Sequence, residues 1–488
     1  MTRQERAPFA EALARYAETD ARMFSTPGHK RGMGAPEPLK GLLADAFRQD
    51  IPHAGGVDTT HISLGLLREA EGLAAEAYGG DEARFLVNGS TTGNLAMLLA
   101  TCRDGDEAII SRMLHKSLLA GLVFSGARPV YVVPEMNAAR DLPLDVAPET
   151  VEAALREHPS AKAVVLVSPS YVGVTSDLRA IAALCHARGV PLLVDEAWGP
   201  HFHFHPELPD SAMQAGADVG VSSTHKMLSA LTQGSTLVAR QGLIDLERLH
   251  TIVDMVQTTS PSALIFASLD AARQQMAMGG ERLLGQALGY ARRLRTGLAA
   301  MDGVSVLDER VISERPGARL DPTRVLVDVH GLGFTGYEAE MLLRERHGIY
   351  VEMSDLLSVM LLVTIGDDAT SIDRALAGFG DLVARRRPMR NTIVARSSGA
   401  LLFGGTPVMT PREAFMTASV VVPVGDSIGR ISSESITPYP PGIPIVAPGE
   451  RLSVEIMDYL RAGASEGMYI SGLSDASFAT VRVVKKDG

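Results

Sequence analysis

Between about residues 60 and 240, short continuous apolar runs alternate with longer stretches of helical period. The runs are "RFLVN" (84–88), "EAIIS" (107–111), "PVYVV" (129–133), "AVVLVS" (163–168), "PLLVD" (191–195), "DVGVSS" (218–223) and "STLVA" (235–239). Strands alternating with helices argue for βαβ units and a mostly parallel sheet. The runs are apolar at nearly every position, as expected for strands covered on both faces. A helical pattern, "GERLLGQALGYARRLRTGLAAM" (280–301), then leads into a second, smaller region of mixed period. The pattern predicts an N-terminal arm at 1–60, a large α/β domain at 61–299, a small α/β domain at 300–386 and a C-terminal α+β domain at 387–488. The basic, turn-rich "ARRRPMRNT" marks the last boundary, and the final domain holds a Pro/Gly-dense loop, "ITPYPPGIPIVAPGE".

Composition narrows the class without choosing a chemistry. Of 488 residues, 46% are apolar and 21% charged, ordinary for a globular protein with a large core. The net charge of −11 is spread along the chain, so no nucleic-acid footprint appears. The two cysteines, Cys102 and Cys185, form no CxxC pair, against a disulfide framework or zinc knuckle. The N-terminus is charged and has no apolar core of a signal peptide. The apolar run "LLSVMLLVTI" (356–365) is about half of what a bilayer crossing needs. The expectation is a cytoplasmic protein with no membrane partner.

Three elements of the large domain bear chemistry. "FLVNGSTTGNLAM" runs from a strand through hydroxyl residues into a helix expected to begin near Thr92 or Gly93. Ser90, Thr91 and Thr92 there offer hydroxyls and free backbone N–H groups, the makings of a phosphate site. "LLVDEAWG" puts Asp195 at the carboxyl end of a buried strand, where ligands bind in open α/β sheets. A buried carboxylate there needs a cationic partner. "SSTHKMLSAL" places Lys226 just after another strand, where an amine of depressed pKa is a nucleophile. A phosphate cradle, an acid for a pyridinium nitrogen and a lysine are the three needs of pyridoxal phosphate. Each alone has a plainer reading, as helix start, cap or solvated lysine.

At these residues the chain resembles the fold-type I, pyridoxal-phosphate-dependent ornithine/lysine/arginine decarboxylases in their shorter bacterial form. "STHK" followed by "LTQGS" is similar to that family's cofactor-lysine motif, "FSTPGHKRG" to its N-terminal "PGHK" segment, "RMLHKS" to its "HKS" motif, "SPSYVGV" to its "TSPTYYGV" and "YPPGIPIVAPGE" to its C-terminal signature. The resemblance implies an aspartate-aminotransferase-like large domain and decarboxylation of a basic amino acid. It implies that Lys226 is the cofactor's covalent anchor, Asp195 pairs with the pyridine nitrogen, His115 stacks on the ring and Ala197 packs on its other face. Ser90, Thr91, Thr92, Ser223 and His225 would hold the phosphate, and Ser235 or Thr236 would reach the phosphate of a neighbouring subunit. Lys226 or His225 would return the proton to Cα. Glu434 would meet the distal cation of the substrate. Where the short forms read "DEAHG", this chain reads "DEAWG", and Trp198 is taken as a substrate-side residue. A homodimer, or a dimer-based oligomer with shared active sites, is implied. No large ring assembly is expected, since little chain precedes "PGHK".

Other signals compete. "VLVDVHGLGFTGYEAEMLLRERHGIYVEM" holds a formal dinucleotide fingerprint, Gly331, Gly333 and Gly336, with Glu352 further on. It supports an NAD-dependent oxidoreductase; in the decarboxylase reading those glycines only shape a turn. "HFHFH" (His201, His203, His205) alternates like a strand face and could bind a metal, though nothing else supports one, and no metal is expected. Aminotransferases and aldolases share the same cofactor residues, so they stay open as alternatives.

Overall fold

A computed structural model describes residues 2–51, 65–137, 142–388, 403, 405–439 and 442–485. Part of the expected N-terminal arm, residues 389–392 of the basic boundary, and Pro440 and Pro441 of the C-terminal loop lie outside the described residues. The chain divides into two compact units, Met1–Ala100 with Leu193–Leu284, and Thr101–Leu192 with Gly285–Gly488. The region expected as the large domain contributes to both.

The apolar runs become β1 (Glu82–Leu86), β2 (Glu107–Ser111), β3 (Arg128–Val132), β4 (Ala163–Val167), β5 (Leu192–Asp195), β6 (Val219–Ser222) and β7 (Ser235–Ala239). In the first unit the order is β1–β7–β6–β5. There β5 and β6 are parallel, with Asp195 opposite Val221, while β7 runs antiparallel to both β6 and β1. Parallel pairing brings the carboxyl ends of β5 and β6 out at one edge, so Asp195 and the segment after Ser222 emerge together. All residues of β5, β6 and β7 are buried, as the unbroken apolar runs require.

Helices of this unit include α1 (Pro8–Glu18), α2 (Leu66–Tyr78), α3 (Ser90–Thr101) and α5 (Leu246–Val256). Helix α3 starts at Ser90, two residues before the expected Thr92, so all three hydroxyl residues fall in its first turn. It lies close on β6, because a Cβ at Gly93 would sit 2.5 Å from Val221 Cγ1. The helix expected at 280–301 is far longer, α6 (Ala263–Ala299, 37 residues). Its buried Asp270 accepts the Phe9 N–H at 2.9 Å at the N-terminus of α1, and is itself held by Arg273. A carboxylate at a helix N-terminus meets both the unpaired N–H groups and the positive end of the dipole.

In the second unit β2 pairs in parallel with both β3 and β4, and α4 (Lys116–Ser125) follows β2. Beyond it, β8 (Ser305–Val306), β9 (Arg324–Asp328), β10 (Met353–Ser354) and β11 (Ser358–Leu362) form a sheet of order β8–β9–β11–β10, antiparallel throughout. Helices α7 (Gly336–His347) and α8 (Ala369–Ala384) share its core through Leu343 and Phe379. The C-terminal residues pair β12 (Ser419–Pro423) with β15 (Thr480–Val484) and β13 (Thr437–Tyr439) with β14 (Tyr469–Ser471). Helix α9 (Val454–Ser465) packs Met457 and Leu460 into their common core with Ile436 and Val481.

The dinucleotide fingerprint does follow a strand and precede a helix, but its glycines are filled from within. A Cβ at Gly331 or Gly333 would lie 2.5 Å from the carbonyl oxygen of Gly303 or Arg387, and one at Gly336 would collide with the Ser358 carbonyl. Backbone already occupies the space that a pyrophosphate would need, and an antiparallel sheet is not half of a dinucleotide fold. The glycines shape a turn. The "HFHFH" stretch is also corrected: Phe202–Phe204 is a 3-10 turn, not a strand face. Its Phe204 packs edge-on against Tyr78, with ring centroids 5.0 Å apart. No helix among the described residues is long and apolar enough to cross a membrane.

Candidate cofactor site

The site in the first unit grows from three chain segments. The first is the start of α3. Ser90 Oγ lies 2.7 Å from Ser223 Oγ and 3.3 Å from Ser235 Oγ. Three hydroxyls from three segments thus cluster at the N-terminus of a 12-residue helix. Unpaired N–H groups, dipole and hydroxyls together suit a phosphate. Thr91 beside them is exposed, while Thr92 is buried and donates its N–H to the Gly89 carbonyl.

The second segment leaves β5. Asp195 is 2% exposed, and its hydrogen bonds come from neutral donors: Asn94 Nδ2 to Oδ2 at 2.7 Å and the Ala197 N–H to Oδ1 at 3.1 Å. A buried carboxylate dressed in this way suits a protonated ring nitrogen as its cation. Next to it, burial pushes the Glu196 carboxyl well above its usual range, and the Asp195 charge adds to that shift. Its Oε1 accepts the Ala212 N–H at 2.6 Å.

The third segment leaves β6 and forms a short helical turn, Thr224–Met227. The Ser223 N–H donates to the Ala197 carbonyl at 3.3 Å, which ties this turn to the segment after Asp195. Lys226 Nζ stands 3.8 Å from the centroid of the Trp198 ring. His225 Nδ1 lies 2.8 Å from the Gly234 carbonyl oxygen, which can only accept, so Nδ1 bears the proton. Burial lowers the His225 pKa, and the nearby Lys226 charge lowers it further. Neutral His225 then has Nε2 as an acceptor.

The structure thus brings together Ser90, Ser223 and Ser235, and separately Asp195, Ala197, Trp198 and Lys226, with His225 on the turn between. Ser235 and Thr236 are 0% and 1% exposed within their own chain, where Ser235 Oγ meets Ser90 Oγ and Thr236 Oγ1 is bonded to Thr224 Oγ1 at 2.9 Å.

His115 and Glu434 lie in the second unit. His115 caps α4, its Nδ1 accepting the Ser117 N–H at 3.2 Å, so the neutral ring bears its proton on Nε2. Glu434 accepts the Arg482 N–H at 2.7 Å on one oxygen and the Ser474 N–H at 2.9 Å on the other. Both oxygens thus hold C-terminal backbone together.

Asn94, Glu196, Arg112 and Glu450 were not singled out from sequence. Asn94 stood inside the quoted "GSTTGN", four residues after Ser90, a spacing that stacks two side chains on one helix face. Arg112 opens "RMLHKS" and Glu450 closes "YPPGIPIVAPGE". Both sit next to motif residues, and no local spacing links residues so far apart.

The donor set fits pyridoxal phosphate: an anion cradle, a fixed buried carboxylate and a lysine on one strand edge. Comparison with known proteins agrees. The model of the Orn/Lys/Arg decarboxylase major domain matches residues 7–371, and that of the family's C-terminal domain matches residues 401–475. The chain is 39% identical to an arginine decarboxylase of Halalkalibacterium halodurans, over 100% of this chain and 99% of the relative. It is 37% identical to an arginine decarboxylase of Bacillus subtilis, over 99% of each. Among solved structures, lysine decarboxylase A from Pseudomonas aeruginosa superposes with a TM-score of 0.85 at 22% identity, covering 99% of this chain and 81% of that one. By sequence over its whole length, this chain belongs to the Orn/Lys/Arg decarboxylase family.

Proposed function

We propose that this chain is a pyridoxal-phosphate-dependent decarboxylase of L-arginine, releasing CO2 and the corresponding amine. The observation that supports arginine over lysine or ornithine is near-full-length identity of 37% and 39% to two proteins named arginine decarboxylase. Bound pyridoxal phosphate would supply the sink for the electron pair left on Cα when CO2 departs. Asp195, fixed by Asn94 and the Ala197 N–H, holds the proton on the ring nitrogen. Ser90, Ser223 and Ser235, with the first turn of α3, hold the phosphate. Lys226 is the covalent anchor, and Lys226 or His225 returns a proton to Cα. His115 is assigned to the ring face on the family resemblance.

In the same reading, residues 387–488 are the family's C-terminal domain and the enzyme works as a cytoplasmic homodimer. Phe24, 100% exposed, and Leu42, 79% exposed, support burial of the N-terminal segment against a second copy. The test is to incubate the cofactor-loaded protein with arginine, lysine and ornithine in turn and measure CO2 and amine. Release from arginine at a kcat/KM at least tenfold above the others is expected. Release from lysine or ornithine alone would move the substrate. No CO2 with keto-acid formation would move the reaction to transamination.

A further inference from the structure

Ser90 and Asn94 are four residues apart on α3, so their side chains stack on one face, about 6 Å apart along the axis. Ser90 meets the hydroxyls of Ser223 and Ser235. Asn94, 1% exposed, reaches Asp195 Oδ2 at 2.7 Å. We propose that Asn94 is a positioning residue for catalysis, acting through Asp195, and that one face of α3 thereby sets both ends of the cofactor. This rests on the reading that Asp195 meets the ring nitrogen.

A carboxylate held at one oxygen can still swing about its Cβ–Cγ bond. Asp195 is held at both, by Asn94 at Oδ2 and by the Ala197 N–H at Oδ1, so its plane is fixed. The donors are neutral, so the negative charge is not cancelled and stays available to a ring N–H⁺. The close seat of α3 on β6, which Gly93 permits, brings the Asn94 amide within reach. The cradle at Ser90 and the clamp at Asn94 then belong to one rigid element, which keeps their separation fixed.

The test uses holoenzyme reconstituted with pyridoxal phosphate labelled with 15N in the ring, whose resonance reports ring-nitrogen protonation. In Asn94→Ala the midpoint of that titration is expected to fall by a pH unit or more. The cofactor dissociation constant should rise about tenfold, and kcat should fall more than KM changes. Asn94→Leu, which restores bulk without a donor, should behave in the same way, and it serves if the alanine variant folds poorly. An unchanged or raised midpoint in a folded, loaded variant overturns the proposal, as does a leucine variant that titrates like the wild type. Asp195→Asn separates the two readings: if it leaves the wild-type resonance unmoved, Asp195 does not meet the ring nitrogen.

Discussion

Arg112 and Glu450 form a bidentate ion pair buried in the second unit, Nε to Oε1 at 3.2 Å and Nη2 to Oε2 at 2.9 Å, at 1% and 2% exposure. The remaining guanidinium donors reach the Pro444 carbonyl at 2.6 Å and the Ile445 carbonyl at 2.9 Å. Glu450 also accepts the Ala447 N–H at 2.8 Å. The C-terminal signature loop is therefore seated on the residue that follows β2. Removing one partner strands the other charge, at a cost of about 3–5 kcal/mol, whereas removing both costs much less. Glu450→Ala should unfold at markedly lower denaturant, and Arg112→Met with Glu450→Met should recover most of the loss. Equilibrium denaturation of the three proteins checks this; equal losses in the single and double variants would count against it.

The Lys226 turn makes a chemical prediction. A lysine that anchors the cofactor is trapped on it by borohydride reduction. Wild-type holoenzyme should then hold cofactor covalently at residue 226, read by peptide mass. Lys226→Ala should hold none and should lose at least about 10³-fold in kcat. Labelling at a different lysine would remove Lys226 from its assigned role.

The hydroxyl cluster predicts cofactor affinity. A hydrogen bond to a charged phosphate contributes about 1.5–3 kcal/mol, or about 10- to 100-fold in affinity. Ser90→Ala and Ser235→Ala should each raise the dissociation constant of pyridoxal phosphate by that order, with little change in thermal stability of the loaded enzyme at saturating cofactor. Absorbance titration of the apoenzyme measures it, and affinities equal to the wild type would place the phosphate elsewhere.

Glu71 on α2 predicts a pH dependence of folding. Burial raises its pKa to about 7, against the lowering effects of Arg84 and of the Phe85 N–H. The folded state therefore holds this proton more tightly than the unfolded chain. The associated stability is fully present below the unfolded value near 4.5 and is lost as pH rises through about 7. Denaturation midpoints of Glu71→Gln should vary less between pH 5 and pH 8 than those of the wild type. Parallel curves would show that Glu71 does not titrate in this window.

Much of the architecture was written in local pattern. Continuous apolar runs of five or so residues placed seven strands to within a residue or two; in β5, β6 and β7, buried at every position, this is because a strand covered on both faces must be apolar at successive positions. The hydroxyl residues, Asp195 and Lys226 could be picked out because each sits at a strand end followed by a turn, and that placement is local. The boundary of α3 was misplaced because Ser90 reads equally as cap or first turn. The "HFHFH" alternation misled because period-2 patterning over five residues does not distinguish a strand from a turn held by its neighbours.

What the tertiary structure alone decided are the pairings between distant segments. Asn94 meets Asp195 across 101 positions and Arg112 meets Glu450 across 338. Ser235 meets Ser90 across 145 positions, and Glu434 accepts the Arg482 N–H of its own domain's backbone. Sequence fixes which groups exist and the period on which they recur. Which donor ends beside which acceptor depends on strand order and helix seating, and these follow from the burial of the whole core rather than from any short stretch.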